Sequence, residues 1–340
     1  MKLDRRSILV GSAIALLALW FFPHIVSKRT LYTVTQVFIF GLFAISFNLM
    51  FGYLGLLSFG HAAYFGVGAY TVAILMTHFP GMSSLSGLVL GCLAGGVFGL
   101  VIGSFCVRLK GTYFAMLTLA FGQLVFGIAW KWRSVTRGDD GFGDFADRTV
   151  QIFGSTFSST DTVVLFHLVT SISVVVGAIV WIVMSSTPFG TIVTSIKQNE
   201  VRAANLGINT YATKLVVYVI AAVMAGLAGA LSSIVQNFVS TSSVDWMRST
   251  DAVVMATVGG AANYLGPVLG ATLLVFGGDF LSAYTDRWQL IMGAIFMFVV
   301  LFAPRGIAGA IADLCDLIRS WTVRPLGNDA TASEVENAGR

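Results

Sequence analysis

The sequence predicts an all-α polytopic membrane protein, and three observations carry that class. Apolar residues make up 56% of the 340 and charged residues only 11%, at a mean hydropathy of +0.84, whereas a soluble domain carries about 25% charge. Apolar stretches long enough to span, roughly 20 residues each, recur along the chain as far as Pro304. Glycine, at 37 residues, interrupts some of these stretches. The expectation is therefore a bundle of about ten transmembrane helices with glycine-broken segments. The net charge of +4 implies no nucleic acid, because Lys and Arg are expected beside the ends of spans.

Taken in order, the candidate spans are 8–26, 31–52, 56–78, 87–107, 112–130, 163–185 and 213–237. The first follows a basic start, as a secretory signal would, but no small-x-small cleavage site follows it, so it reads as a retained span. With Lys2, Arg5 and Arg6 inside, six crossings place 187–214 inside too, with Lys197, Arg202 and Lys214. The charge-free turn 79–87 then falls outside, and Arg108 and Lys110 fall inside. Lys28, Arg29 and the charged loop 131–162 run against this orientation, although long loops translocate largely regardless of charge. Residues 251–283 are too long for one span and broken at 261–267. Split into 251–262 and 266–283, with a last span at 289–303, they bring the C-terminus inside, which Arg305, Arg319 and Arg324 favour. The organisation expected is one permease domain, 1–306, with a cytoplasmic loop 187–214 and an extracytoplasmic loop 131–162. A cytoplasmic tail, 307–340, follows, and its end is polar enough to read as disordered.

Small residues are patterned as well as frequent. Gly91, Gly95, Gly99 and Gly103 repeat along one helix face, and Ala222, Gly226 and Ala230 do so in a later span. Such faces let helices approach closely in lipid. Cys92, Cys106 and Cys315 are scattered and read as packing residues. The glycine-broken stretches 52–70 and 256–271 loosely resemble each other, as internal repeats that build a transporter site do.

Chemistry is sparse. No Lys follows a Gly, so a Walker A loop is absent and ATP is not bound here by that device. Between Leu31 and Trp130 the only charged residues are Arg108 and Lys110, and Asp279 is the carboxylate expected inside a late span. Proton-driven carriers bury a carboxylate relay, so this pattern disfavours an ion-coupled carrier, although sodium could be held by carbonyls. His61, with Ser58 and Tyr64 beside it, is a titratable group at membrane depth and a candidate for the translocation pathway, against the plainer role of donating to a freed carbonyl. Asn48, Thr118 and Gln123 are further pathway candidates, for which helix-to-helix hydrogen bonds are the stronger expectation. Asp139, Asp140, Asp144 and Asp147 lack the spacing and closing Glu of a calcium loop and read as an Asp-rich turn.

The island 187–214 carries its own helix signals. Thr187 is a candidate N-cap with Pro188 at the first helical position, and Ile192, Val193 and Ile196 form an apolar side. Asn199 can cap a second short helix through Leu206, with Glu200 and Arg202 in its first turns, and Gly207 supplies the stop. Two short helices at a bend make a compact docking knob; an amphipathic helix resting on headgroups is the competing use. A membrane protein with such a knob and no energy-converting site is expected to be driven by another subunit.

Six runs bear a family resemblance: 48–70 (NLMFGYLGLLSFGHAAYFGVGAY), 108–123 (RLKGTYFAMLTLAFGQ), 134–143, 187–209 (TPFGTIVTSIKQNEVRAANLGIN), 258–271 and 301–309. Together they resemble the permeases of branched-chain amino acid ABC importers, in order and over nearly the whole chain, the M-type of the two related permeases in particular. The resemblance implies a multi-pass subunit of a bacterial cytoplasmic (inner) membrane with both termini cytoplasmic. It also implies a second, paralogous permease, two cytoplasmic ATPase subunits that bind the ATP, and a periplasmic or extracellular substrate-binding protein. The chain itself would be a transport subunit and not an enzyme, without cofactor. In such systems the loop matching 187–209 enters a groove on an ATPase, which marks Pro188, Phe189, Gly190, Asn199, Glu200, Arg202, Ala203 and Gly207 as coupling residues. Importer permeases often carry a Glu-Ala-Ala, three residues, Gly pattern there. Ala203 and Gly207 fit it, while Val201 and Arg202 hold the first two places and Glu200 stands one residue early. The expected cargo is a branched-chain or other hydrophobic amino acid. Urea or short amides on the same machine, or a stand-alone sodium-coupled carrier, are the alternatives.

Overall fold

The computed structural model describes residues 22–313, apart from 24, 80–81, 144, 146–149, 153–154, 158–160, 304 and 312. Nearly all of the expected first span, together with Asp144, Asp147, Cys315 and the tail after Asp313, lies outside the described residues. From 31 onward, each expected span has its helix.

Helix α1 (Lys28–Asn48) begins where the Ser27 hydroxyl accepts from Thr30 N, and it runs on through a π-helical turn, Leu49–Tyr53. The chain then leaves helical geometry, with Gly55 at φ +78°, and re-enters it as α2 (His61–His78). Helices α3 (Ser84–Cys106) and α4 (Gly111–Lys131) follow. Then come the short α5 (Arg133–Thr136) and the strands β1 (Phe142–Gly143), β2 (Val150–Ile152) and β3 (Ser155–Phe157). Helix α6 (Thr162–Ser186) leads into two short helices, α7 (Pro188–Gln198) and α8 (Glu200–Asn205), and α9 (Thr210–Gln236) returns through the bundle. After β4 (Phe238–Val239), which pairs antiparallel with β1, the chain ends in α10 (Trp246–Gly259), α11 (Gly266–Ser282) and α12 (Trp288–Phe302). The split of 251–283 into two helices is therefore observed. Its first helix starts five residues earlier than 251, which draws Arg248 and Ser249 into α10.

Among the described residues, five segments are long and apolar enough to cross a bilayer: Lys28–Tyr53, α3, α4, α6 and α9, while α11 and α12 are shorter apolar helices. At the centre, α9 packs on α3, α2 and α1, and α1 also carries α11, α6 and α10. Small residues permit this. A Cβ on Gly95 would lie 2.9 Å from the Gly226 Cα and the Ala222 carbonyl, and one on Gly91 would lie 3.0 Å from the Ala230 Cβ. Gly68 of α2 faces the Gly226 carbonyl just as closely, so three backbones meet where the patterned glycines fall.

Irregular backbone at membrane depth is tolerated only where protein satisfies its polar groups. The break before α2 shows how. Phe59 N donates to Thr118 Oγ1 at 3.2 Å, and Ala62 N, an orphan of the first helical turn, donates to Ser249 Oγ at 2.8 Å. Near the end of α4, Asp139 accepts from Trp130 Nε1 (2.7 Å) and from Thr241 Oγ1 (3.0 Å), tying the Asp-rich turn to the segment before α10.

Candidate functional site: a coupling knob and a mid-membrane polar layer

The knob forms as its local signals require. Pro188 opens α7, whose Val193 and Ile196 are buried while Phe189 and Ile192 pack against the core. Gly190 sits so close to the Met184 carbonyl that any Cβ would collide with it, which fixes the sharp α6–α7 bend. Thr187 occupies the N-cap position but does not cap. Its hydroxyl donates instead to Val183 O at 2.6 Å, because a free carbonyl at the end of α6 is within its reach. Asn199 does cap α8, its Oδ1 accepting from Arg202 N at 2.9 Å. Gly207, at φ +85°, closes α8 as its N–H donates to Ala204 O at 2.9 Å. Ala203 is buried, whereas Val201 (64% exposed) and Leu206 (75%) stand out with Arg202 on the free side of the knob.

Three contacts lock the knob to the bundle. Glu200 Oε1 takes Lys214 of α9 at 2.5 Å, and Oε2 takes Lys110, which precedes α4, at 2.9 Å. Lys197 Nζ donates to Gly52 O, in the π turn that ends α1, at 2.6 Å. Burial pushes the Glu200 carboxyl up, but the hydrogen bonds and charges of Lys214 and Lys110 outweigh that and hold it below the ordinary glutamate range. Glu200 thus has a specific role that its displaced position in the pattern hides.

The glycine-broken segments meet beside this anchorage. Asn48 Nδ2 donates to Ala261 O at 3.3 Å, and Gly260 lies against Arg305 and Gly306. One side of the bundle therefore gathers the knob, the α1 break, the α10–α11 turn and the end of α12. The opposite ends of α1 and α11 are clamped by Asp279, which accepts from Arg29 Nη2 and Thr33 Oγ1, both at 3.2 Å.

Of the pathway candidates, Ser58, His61, Tyr64, Asn48 and Thr118 are all buried inside the chain. His61 Nε2 lies 2.8 Å from Ser46 Oγ; that hydroxyl donates to Phe43 O at 2.6 Å, which leaves its lone pairs to accept the Nε2–H. The imidazole is walled by the rings of Phe43, Phe47 and Tyr64. Tyr64 and Tyr218 share a hydroxyl hydrogen bond of 2.5 Å. Thr118 is engaged by Phe59 N and by Ala115 O. Gln123 differs from these in being exposed on α4. Arg248 and Ser249 escape a reading by pattern, since WMRST resembles a polar loop. Arg248 stacks over the Phe40 ring at 5.3 Å and lies 3.7 Å from Asp251.

Apolar helices in a polytopic bundle, broken at two glycine-rich points and carrying a polar two-helix knob, define a membrane permease. Residues 29–301 match the family model described as "Branched-chain amino acid transport system / permease component", and the chain belongs to that family. It is 27% identical over 303 residues to the high-affinity branched-chain amino acid transport system permease protein LivM of Escherichia coli K12, covering 84% of this chain and 71% of that protein. LivM of Salmonella typhimurium is 26% identical over the same shares. The LivH permease of E. coli K12 is 24% identical over 83% of this chain and 97% of its own. No solved structure matches.

Proposed function

We propose that the chain is the M-type permease subunit of an ATP-driven importer that moves branched-chain amino acids into the cytoplasm. The carrying observation is the knob: its free side exposes Val201 and Leu206 beside a glycine stop, and its rear is anchored by Glu200 and Lys197. Exposed apolar side chains on a polar protrusion mark a docking surface. The family supports the cargo, because relatives similar along most of the chain are named for high-affinity branched-chain amino acid transport. It supports a heteromeric machine too, since both LivM and LivH resemble this chain.

In this reading a second, related permease pairs with the chain, a substrate-binding protein delivers the amino acid from outside, and two ATPases bind the knob from the cytoplasm. The knob side is cytoplasmic, both termini lie there, and the full span count is ten. Closure of the ATPases pulls α7–α8. The three anchors pass that displacement to α4 through Lys110, to α9 through Lys214 and to the α1 break through Gly52. The buried Ser58–His61–Tyr64 layer forms the wall behind the path, held by Ser46 and Tyr218, while Gln123 faces the path itself.

Uptake of radiolabelled L-leucine by proteoliposomes holding the complete importer, with ATP on the knob side and binding protein outside, tests the reading. ATP-dependent accumulation is expected. Accumulation driven by a sodium gradient without any ATPase overturns it in favour of a stand-alone carrier.

A further inference from the structure

Two charges lie at the middle of the bundle where hydropathy alone would place none. Phe40 sits midway between Arg29, clamped by Asp279 at one end of α1, and Gly52, held by Lys197 at the other. At 1.5 Å per residue that is about 17 Å from either end. The Arg248 guanidinium lies over this ring at 5.3 Å, and Asp251 is one turn further along α10. A charged side chain at the helix centre is costly, and such residues face a water-filled path or a protein partner.

Mutual neutralisation accounts for the pair only in part. The 3.7 Å contact is too long for a hydrogen bond, and the side chains remain 32% and 37% exposed. Among the described residues no other side-chain hydrogen bond engages the Arg248 guanidinium or the Asp251 carboxylate. Asp245, earlier in the same segment, is used in capping α10, where its Oδ1 accepts from Met247 N at 3.0 Å. The two charges thus stay partly exposed, one helical turn apart on α10.

Gln123, exposed on α4, lies at a similar depth. Gly122 packs on Gly60, a Cβ there falling 3.0 Å from the Gly60 Cα, and Ser249 holds Ala62 N at 2.8 Å. Gln123 and Arg248 are each one residue from those contacts, so the same short stretch at the start of α2 fixes both at one depth. Helix α10 also packs beside α4.

We propose that Arg248 and Asp251 hold the zwitterionic head of the amino acid in mid-membrane, an inference that rests on the importer reading above. The planar guanidinium takes the α-carboxylate in a bidentate pair, and Asp251 takes the α-ammonium. Each charge of the cargo thereby replaces its hydration with an opposite partner at the depth where desolvation is most costly. The exposed Met247 gives an aliphatic side chain an apolar rest. The site selects for the zwitterion and leaves side-chain choice to the delivering protein.

The test uses the complete importer. Arg248→Gln and Asp251→Asn should each lower L-leucine uptake about tenfold or more, the loss of one hydrogen bond to a charge, with Arg248→Lys and Asp251→Glu keeping part of it. Binding of labelled L-leucine to the detergent-purified complex, without binding protein, provides the second readout. In the wild type neither isoamylamine nor 4-methylpentanoate should compete. Arg248→Gln should gain competition by the amine, and Asp251→Asn by the acid. Reciprocal gains of this kind do not follow from a structural ion pair. Uptake by both neutral variants close to wild type overturns the proposal and leaves the importer reading standing, as does loss of leucine binding without any change in discrimination. A variant that fails to co-purify with its ATPases is replaced by the exchanged pair Arg248→Asp/Asp251→Arg, in which the preferences of the two positions should reverse. A wild-type complex that imports no leucine overturns the importer reading, and this inference with it.

Discussion

Glu200 draws together two lysines that are remote from each other in the sequence, and Lys214, at 4% side-chain exposure, depends on it most. Replacing Glu200 with Ala leaves that ammonium buried without a counter-charge. Because the carboxylate itself is about a quarter exposed, an intermediate loss of about 1–3 kcal/mol is expected. Thermal unfolding of the purified complex should show it, and adding Lys214→Met should recover part of the loss. A double variant as weak as the sum of the two singles would disprove the coupling. The sign with pH follows from the lowered carboxyl. Its folded value lies below the unfolded one, so the contribution is present above the ordinary glutamate range and fades only as pH falls through the folded value. Anchorage of the knob is therefore unchanged around neutrality. The other ion pair that crosses helices, Arg29–Asp279, is 75% and 42% exposed. Exposed pairs contribute about 0–1 kcal/mol, and Asp279→Asn should leave leucine uptake within a few-fold of wild type. An abolished uptake would instead assign Asp279 to ion coupling.

At the scale of elements, the contact of α3 with α9 is backbone against backbone. Alanine at Gly95 would place its Cβ 2.9 Å from the Gly226 Cα, which no rotamer can relieve. The helices must separate, at about 1–3 kcal/mol. Gly293 of α12 has no atom within 4 Å of a Cβ built on it, so Gly293→Ala is the matched control. A lower thermal midpoint for the first variant and an unchanged one for the second is the expected pattern; equal midpoints would mean that the interface yields freely. These faces were legible in the sequence because a repeat of small residues every four positions has one geometric meaning on a helix. Hydropathy likewise placed the helices from α1 onward, and Pro188, Asn199 and Gly207 announced the knob, since caps and stops act within a turn. What escaped was non-local. The partners of Glu200 lie at 110 and 214, the partner of Ala62 N lies at 249, and α10 begins in residues that read as a loop. Polar side chains at that start make sense only against α1, α2 and a path, none of which periodicity can supply. His61 shows the opposite limit: its depth was readable, but its enclosure by Ser46 and three aromatic rings was not.

For the molecule as a whole the open question is what moves it, and the knob answers in a form that can be measured. Its rear is fixed to three parts of the bundle, while its front carries two apolar side chains, Val201 and Leu206, that stand exposed among the described residues. A headgroup-resting helix would keep its apolar side toward the lipid and its function without a partner. A docking knob needs a groove that receives Val201 and Leu206. Val201→Asp and Leu206→Asp, which touch none of the anchors, should therefore release the ATPase from the complex isolated from native membrane. The proposed permease pair should remain together, since neither substitution touches the membrane-spanning helices. Truncating residues at the centre of an interface costs about 2 kcal/mol or more, so the recovered ATPase should fall about thirtyfold at matched permease. Full retention of the ATPase by both variants would remove the knob as the coupling surface and return 187–209 to the membrane interface.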